Sequence, residues 1–235
     1  MGLGRAGDAV PTRRLLELQA AHAEARDAVH AALDVEATTT ALAGLGLGDP
    51  VLLRSAAPDR ATYLARPDLG RTPAIALPPA PAAAVAPRVD APDRPDLAVV
   101  VADGLSAEAV HRHAVPLLAA LLPLVPQLRV AAPWLAVQAR VALGDHVGAH
   151  LGAAATLVLV GERPGLSSTD SLGAYLTWHA RPGVPDSARN CVSNIRPPHG
   201  LDHATAARTL AALVEGARRL GATGVRLKDR SDALG

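Results

Sequence analysis

Residues 157–197, LVLVGERPGLSSTDSLGAYLTWHARPGVPDSARNCVSNIRP, decide how this chain is read. Residues 157–160 are an apolar run without alternation, the pattern of a strand buried on both faces. Gly161-Glu162-Arg163-Pro164-Gly165 then makes a turn, with glycines where φ is free and a proline where it is fixed. A carboxylate and a guanidinium therefore stand at the carboxyl end of a buried strand, where open α/β sheets bind ligands. Beyond lie a hydroxyl cluster (Ser167, Ser168, Thr169, Ser171), an apolar segment with Tyr175 and Trp178, and a segment read as a polar loop around Cys191.

Working outward, residues 97–102 form an unbroken apolar strand, turned by Asp103-Gly104, with Ser106 as cap of a helix to about residue 122. Pro116 marks a kink or break in that helix. Residues 128–132 and 137–141 read as further strands, 145–151 as a short helix, and 203–220 as a helix ending at Gly221. Strands alternating with helices predict an α/β fold, a Rossmann-like and mostly parallel sheet over residues 97–235. Residues 73–96 carry seven prolines and read as a linker with at most a short helix at 82–86.

Residues 1–72 read as a small N-terminal helical segment. The first ten residues are glycine-rich and expected to be mobile. Thr12 is a candidate N-cap for a helix whose Leu15, Leu18, Ala21, Ala25 and Val29 repeat at helical spacing. Thr38-Thr39-Thr40 is expected to end it, because β-branching disfavours continuation. A short strand at 51–54 and a helical turn capped by Asp59 follow.

Composition bounds the function. A net charge of +1 supplies no basic footprint for nucleic acid, and no apolar run reaches membrane-spanning length. One cysteine excludes an intrachain disulfide framework and fits a reducing cytoplasm. With only four aromatic side chains and no phenylalanine, each core residue buries little area, which a large partner interface would offset.

Candidate chemistry is sparse. His22 and His30 are separated by about 12 Å of helix and cannot share a metal. His146 and His150 share a helical face, but lack a third ligand and an intervening glutamate, so a solvated face is the better account. The serines lack a nucleophile elbow and read as turn or cap residues. Cys191 sits between Arg189 and Arg196 without an adjacent histidine, which favours packing over nucleophilic work. Asp103 reads as a turn stabiliser. For Glu162 two readings stand side by side: a solvated turn carboxylate, or an acceptor for the amide groups of a ligand. No catalytic residue and no metal ligand is assigned.

GERPGL, SLGAYLTW, RNCVSNIRP and the upstream VVVADGLSAEAV resemble the small (light) subunit of ethanolamine ammonia-lyase, as do PTRRLLELQAAHAEARDAVHAALD, YLARPDLGR and GVRLKD. The resemblance covers nearly the whole chain. It implies adenosylcobalamin as cofactor, a β/α-barrel large subunit as partner, and the cofactor lying between the two chains. It implies conversion of ethanolamine to acetaldehyde and ammonia, in the cytoplasm, free or within a bacterial microcompartment. Carried over by motif, Glu162 and Cys191 resemble cofactor contacts, and Val141 resembles a third. The competing reading is a stand-alone Rossmann-like oxidoreductase using a nicotinamide or flavin cofactor. It lacks a glycine fingerprint, since the first strand of the main domain ends in Asp103-Gly104-Leu105-Ser106.

Overall fold

A computed structural model describes residues 11–79 and 94–227. The helix expected at 82–86, the first ten residues and the end of the GVRLKD motif lie outside them. In chain order the helices are α1 (Thr12–His30), α2 (Val35–Ala43), α3 (Arg60–Ala65), α4 (Ala107–Leu121), α5 (Leu143–Leu151) and α6 (His203–Leu220). The strands are β1 (Val51–Arg54), β2 (Leu97–Ala102), β3 (Trp134–Val137), β4 (Ala155–Gly161), β5 (Leu172–Trp178) and β6 (Arg189–Ile195).

These six strands form one sheet in the order β1-β3-β2-β4-β5-β6. β1, β3, β2 and β4 run parallel, whereas β5 and β6 are antiparallel to their neighbours. The fold is thus α/β, but the sheet is mixed and not mostly parallel as expected. The connections explain this: residues 162–171 and 179–188 are too short for the dozen or more residues of a crossover helix, so each strand returns beside its predecessor.

Every side chain of β2 and β4 is buried, as continuous apolar runs demand. α4 and α6 cover one face, packing Leu117, Leu121, Leu210 and Val214 against Val99, Leu157 and Leu176. α5 covers part of the other, over Val100, Trp134 and Val158. It lies close because a Cβ on Gly144 would fall 2.4 Å from Val158 Cγ2, and one on Gly148 2.1 Å from Thr156 Oγ1.

Local signals worked where a cap or a terminator was present. Ser106 accepts from Ala109 N, Asp59 from Thr62 N, and Gly221 ends α6 in the left-handed conformation. α4 runs through Pro116 without a break. Other expectations fail. α1 begins at Thr12 without a side-chain cap, and none of its stripe residues is fully buried. Thr38-Thr39-Thr40 lies inside α2, which Asp34 caps from Ala37 N, so the cap and the burial of Thr38 and Leu42 outweigh β-branching. In place of two strands at 128–132 and 137–141 there is one, β3. Residues 128–132 make only an isolated bridge from Val130 to Leu97. Residues 189–195, read as a polar loop, are the edge strand β6. There Arg189, Val192 and Ile195 are buried while Cys191, Ser193 and Asn194 are exposed. An edge strand with one covered face tolerates that polarity.

Candidate functional site

The carboxyl ends of β2, β3 and β4 open into a cavity of about 270 Å³. Leu105, Val141 and Val160 make its apolar lining, and Glu162, Arg163 and Tyr175 bound one side. Tyr63 and Arg140 complete its lining. Val141 and Glu162 therefore share one cavity. Cys191 is the direct cross-strand partner of Tyr175, so it lies beside this cavity on the sheet face that α5 leaves open.

Glu162 is not a freely solvated carboxylate. Its Oε2 accepts from Ser171 Oγ at 2.5 Å and from the Asn194 backbone N–H at 3.2 Å, and its Oε1 accepts from Ser193 Oγ. Ser171 and Ser193 thus clamp the carboxylate between the start of β5 and the end of β6, so Ser171 is more than a turn residue. A Cβ on Gly173 would sit 2.9 Å from Glu162 Oε1, so only glycine leaves the carboxylate its place. Three donors leave one lone-pair direction on Oε1 for a further N–H.

The thiol of Cys191 is pushed above its ordinary range, chiefly by burial of its sulfur environment and further by the Glu162 charge, although a Tyr175 hydrogen bond works the other way. It is held as a neutral thiol, the reverse of an activated nucleophile. Tyr175 is likewise raised, first by burial and then by Cys191.

The Tyr63 wall is built by the YLARPDLGR stretch. Tyr63 is buried, donates to the Ala139 carbonyl at 3.2 Å, and has its pKa pushed up to about 12, by burial first and by Asp103 second. Arg60 and Arg140 lie against the ring, their guanidinium carbons 4.9 and 4.8 Å from its centroid. A Cβ on Gly70 would meet Tyr63 Cε2 at 2.8 Å and Arg140 Cγ at 3.1 Å, so glycine is required for this stack. Arg60 is spent on Asp103 Oδ2, on Gly104 O and on Val29 O. Asp103 also accepts from Ala139 N at 3.0 Å, and burial raises its carboxyl. It joins the ends of β2 and β3, a wider structural role than holding its own turn.

The other candidates are structural. Asp145 does not face solvent; it is buried against Arg189 with 2.6 and 2.7 Å contacts. His150 contacts Pro78 O and the Trp134 ring. Among the described residues no three His, Cys, Asp or Glu side chains converge as a metal site, and no helix is long and apolar enough to cross a membrane. A dinucleotide pyrophosphate needs room at the amino end of α4. There a Cβ on Gly161 would meet Ser106 O at 2.0 Å, so strand and helix backbones already touch.

Sequence reasoning missed Tyr63, Arg140, Ser171 and Ser193. The signal for the first was the YLARPDLGR motif itself; the clamp of the two serines had none, since their separation is closed only by strand pairing.

A model of the ethanolamine ammonia-lyase light chain (EutC) family matches residues 1–228. Among curated proteins, the ethanolamine ammonia-lyase small subunit of Rhodococcus erythropolis is 48% identical over 234 residues, covering 99% of this chain and 87% of that protein. The small subunits of Azotobacter vinelandii and Ralstonia nicotianae are 50% and 49% identical, each over 99% of this chain and 85% of their own lengths.

Proposed function

The chain belongs to the ethanolamine ammonia-lyase light-chain family, and from that premise we propose that it binds and orients adenosylcobalamin against a large catalytic subunit. The observation that supports this most is the bipolar cavity at the carboxyl ends of β2, β3 and β4, where Val141 and the clamped Glu162 meet Arg140. Its chemistry fits a large amphipathic ligand. The wall is apolar at Leu105, Val141 and Val160; Glu162 keeps acceptor capacity; and Arg140 Nε is buried without a partner. The open sheet face beside it, bearing Cys191 and Ser193, extends the surface beyond the cavity.

In this reading Glu162 accepts N–H groups from the amide arms of the cofactor, Val141 packs against its apolar surface, and Cys191 adds a contact as a neutral thiol. Ser171 and Ser193 keep the carboxylate in one rotamer, so little freedom remains to be lost on binding. When bound, adenosylcobalamin supplies radical chemistry through its cobalt–carbon bond. The small chain supplies binding and orientation, and the substrate pocket belongs to the large subunit. The domain reading that accompanies it is a helical segment at 1–72, a linker at 73–96 and a cofactor-contacting domain at 97–235, with the edge strand β1 reaching across from the first.

Co-expression with the large subunit tests this. The purified complex should take up adenosylcobalamin with its characteristic visible absorbance and release acetaldehyde from ethanolamine. The small chain alone with coenzyme should release none. Turnover by the isolated chain, or a flavin or nicotinamide signal from it, would overturn the reading.

A further inference from the structure

Two guanidinium groups of this cavity, Arg140 and Arg163, have no carboxylate partner among the described residues, and Arg140 is the one with a buried nitrogen left unbonded. Its Nε is buried without a hydrogen bond, its side chain makes no ion pair, and its only side-chain bond is a long 3.5 Å contact from NH2 to Tyr63 O. A guanidinium usually meets a carboxylate or a phosphate through two parallel N–H donors, and one left without either in a cavity is costly to bury. The position is nonetheless carefully built. The Tyr63 ring supports the guanidinium at 4.8 Å, Gly70 leaves room for both, and Arg140 N donates to Gly70 O at 2.8 Å. Of the two guanidinium groups on this ring, Arg60 is answered by Asp103, which leaves Arg140 as the one without a carboxylate.

We propose that Arg140, held by Tyr63 and Gly70, is the anion-binding group of this site and takes the phosphodiester in the nucleotide tail of the corrinoid; this rests on the cofactor reading above. Glu162, which lines the same cavity, argues against a purely anionic ligand and for one carrying both N–H donors and a phosphate. A corrinoid with amide arms and a nucleotide tail has both. A planar fork stacked on an aromatic ring suits a phosphate oxygen pair better than a lysine in the same place would.

The test compares three ligands on the assembled two-subunit complex by equilibrium dialysis, without turnover: adenosylcobalamin, adenosylcobinamide, which lacks the nucleotide tail, and adenosylcobinamide phosphate, which keeps the phosphate without the base. Arg140→Met should weaken adenosylcobalamin and the phosphate form by about ten- to hundredfold, the loss of a charge-assisted bond. It should leave adenosylcobinamide within about twofold. Arg140→Lys, which keeps charge and stem, should lose several-fold on the two phosphate-bearing ligands only, and it carries the test if the methionine variant does not assemble. Equal loss on all three ligands would mean that Arg140 only shapes the wall. Unchanged affinities with loss of assembly would assign it to a carboxylate of the partner subunit. Either result overturns the phosphate assignment. Failure of the wild-type complex to bind any of the three ligands would instead overturn the cofactor reading itself.

Discussion

Arg189 and Asp145 form a two-bond ion pair, NH1 to Oδ1 at 2.6 Å and NH2 to Oδ2 at 2.7 Å, with each side chain only 2% exposed. The pair ties the edge strand β6, which carries Cys191 and Ser193, to α5, which closes one end of the exposed sheet face. Thr177 Oγ1 and Val184 O accept from NH1 and NH2 as well, and Nε donates to the exposed Asp186 Oδ1 at 3.3 Å.

Removing Asp145 leaves the buried Arg189 with only the exposed Asp186 as counter-charge, through Nε at 3.3 Å. Asp145→Ala should therefore lower unfolding free energy by about 3–5 kcal/mol, while the combined Asp145→Leu and Arg189→Met variant should lie much nearer wild type. Urea denaturation of the two variants checks this. A single variant no worse than the double would show that the pair contributes by packing alone.

Glu162→Ala should raise the apparent coenzyme KM of the reconstituted enzyme roughly ten- to hundredfold, with a smaller change in kcat, because the lost contact serves ground and transition state alike. Because Ser171, Ser193 and Asn194 N all donate to this carboxylate, the variant should also lose stability. Coenzyme titration, with assembly checked by sedimentation, decides the first point. An unchanged KM would leave Glu162 a strand clamp and nothing more.

Cys191 should be a slow thiol. Its raised pKa predicts that alkylation of the folded chain at neutral pH runs more slowly than that of a free model thiol, and that the rate climbs only above the usual cysteine range. Cys191→Ala should keep turnover and weaken coenzyme binding by roughly 1 kcal/mol. Abolished turnover in an assembled Cys191→Ala enzyme would show that the thiol takes part in the chemistry.

Acid should loosen the α4–α6 layer. His113 Nδ1 lies 3.1 Å from His203 Nε2, with Asp170, Arg112 and Arg196 around them. Burial is the leading cause that lowers both imidazoles below the ordinary 6.5. A lowered folded pKa means that the unfolded chain takes up protons first. The stabilising contribution is thus present above pH 6.5 and lost as pH falls through the folded values. Thermal midpoints measured between about pH 8 and 5 should fall on the acid side, and the fall should be shallower in His113→Gln. Equal slopes in both proteins would place the acid sensitivity elsewhere.

Much of the scaffold was legible in the chain because its signals are local. β2 and β4 are unbroken apolar runs, and Ser106, Asp59 and Gly221 carry cap chemistry that acts within one helical turn. Motif resemblance likewise reached the family, since GERPGL and RNCVSNIRP are read residue by residue. The polar edge strand β6 was not legible, because Val192 and Ile195 are recognised as buried only once the α6-side core covers them, and Arg189 only once it meets Asp145 of α5.

Tertiary structure alone decided three things. It made the sheet mixed, since strand direction follows from how two short connections fold back. It turned Asp145 inward to Arg189, because an ion pair 44 residues apart in sequence depends on where α5 lands on the sheet. It also gathered Tyr63, Arg140, Val141 and Glu162 around one cavity. Tyr63 lies in α3, Arg140 and Val141 follow β3 and Glu162 follows β4, and the parallel alignment of β3 and β4 brings those strand ends to the same edge. Hydrophobic pattern and capping act over a few residues, whereas the convergence of charges at a site is a property of the packed sheet.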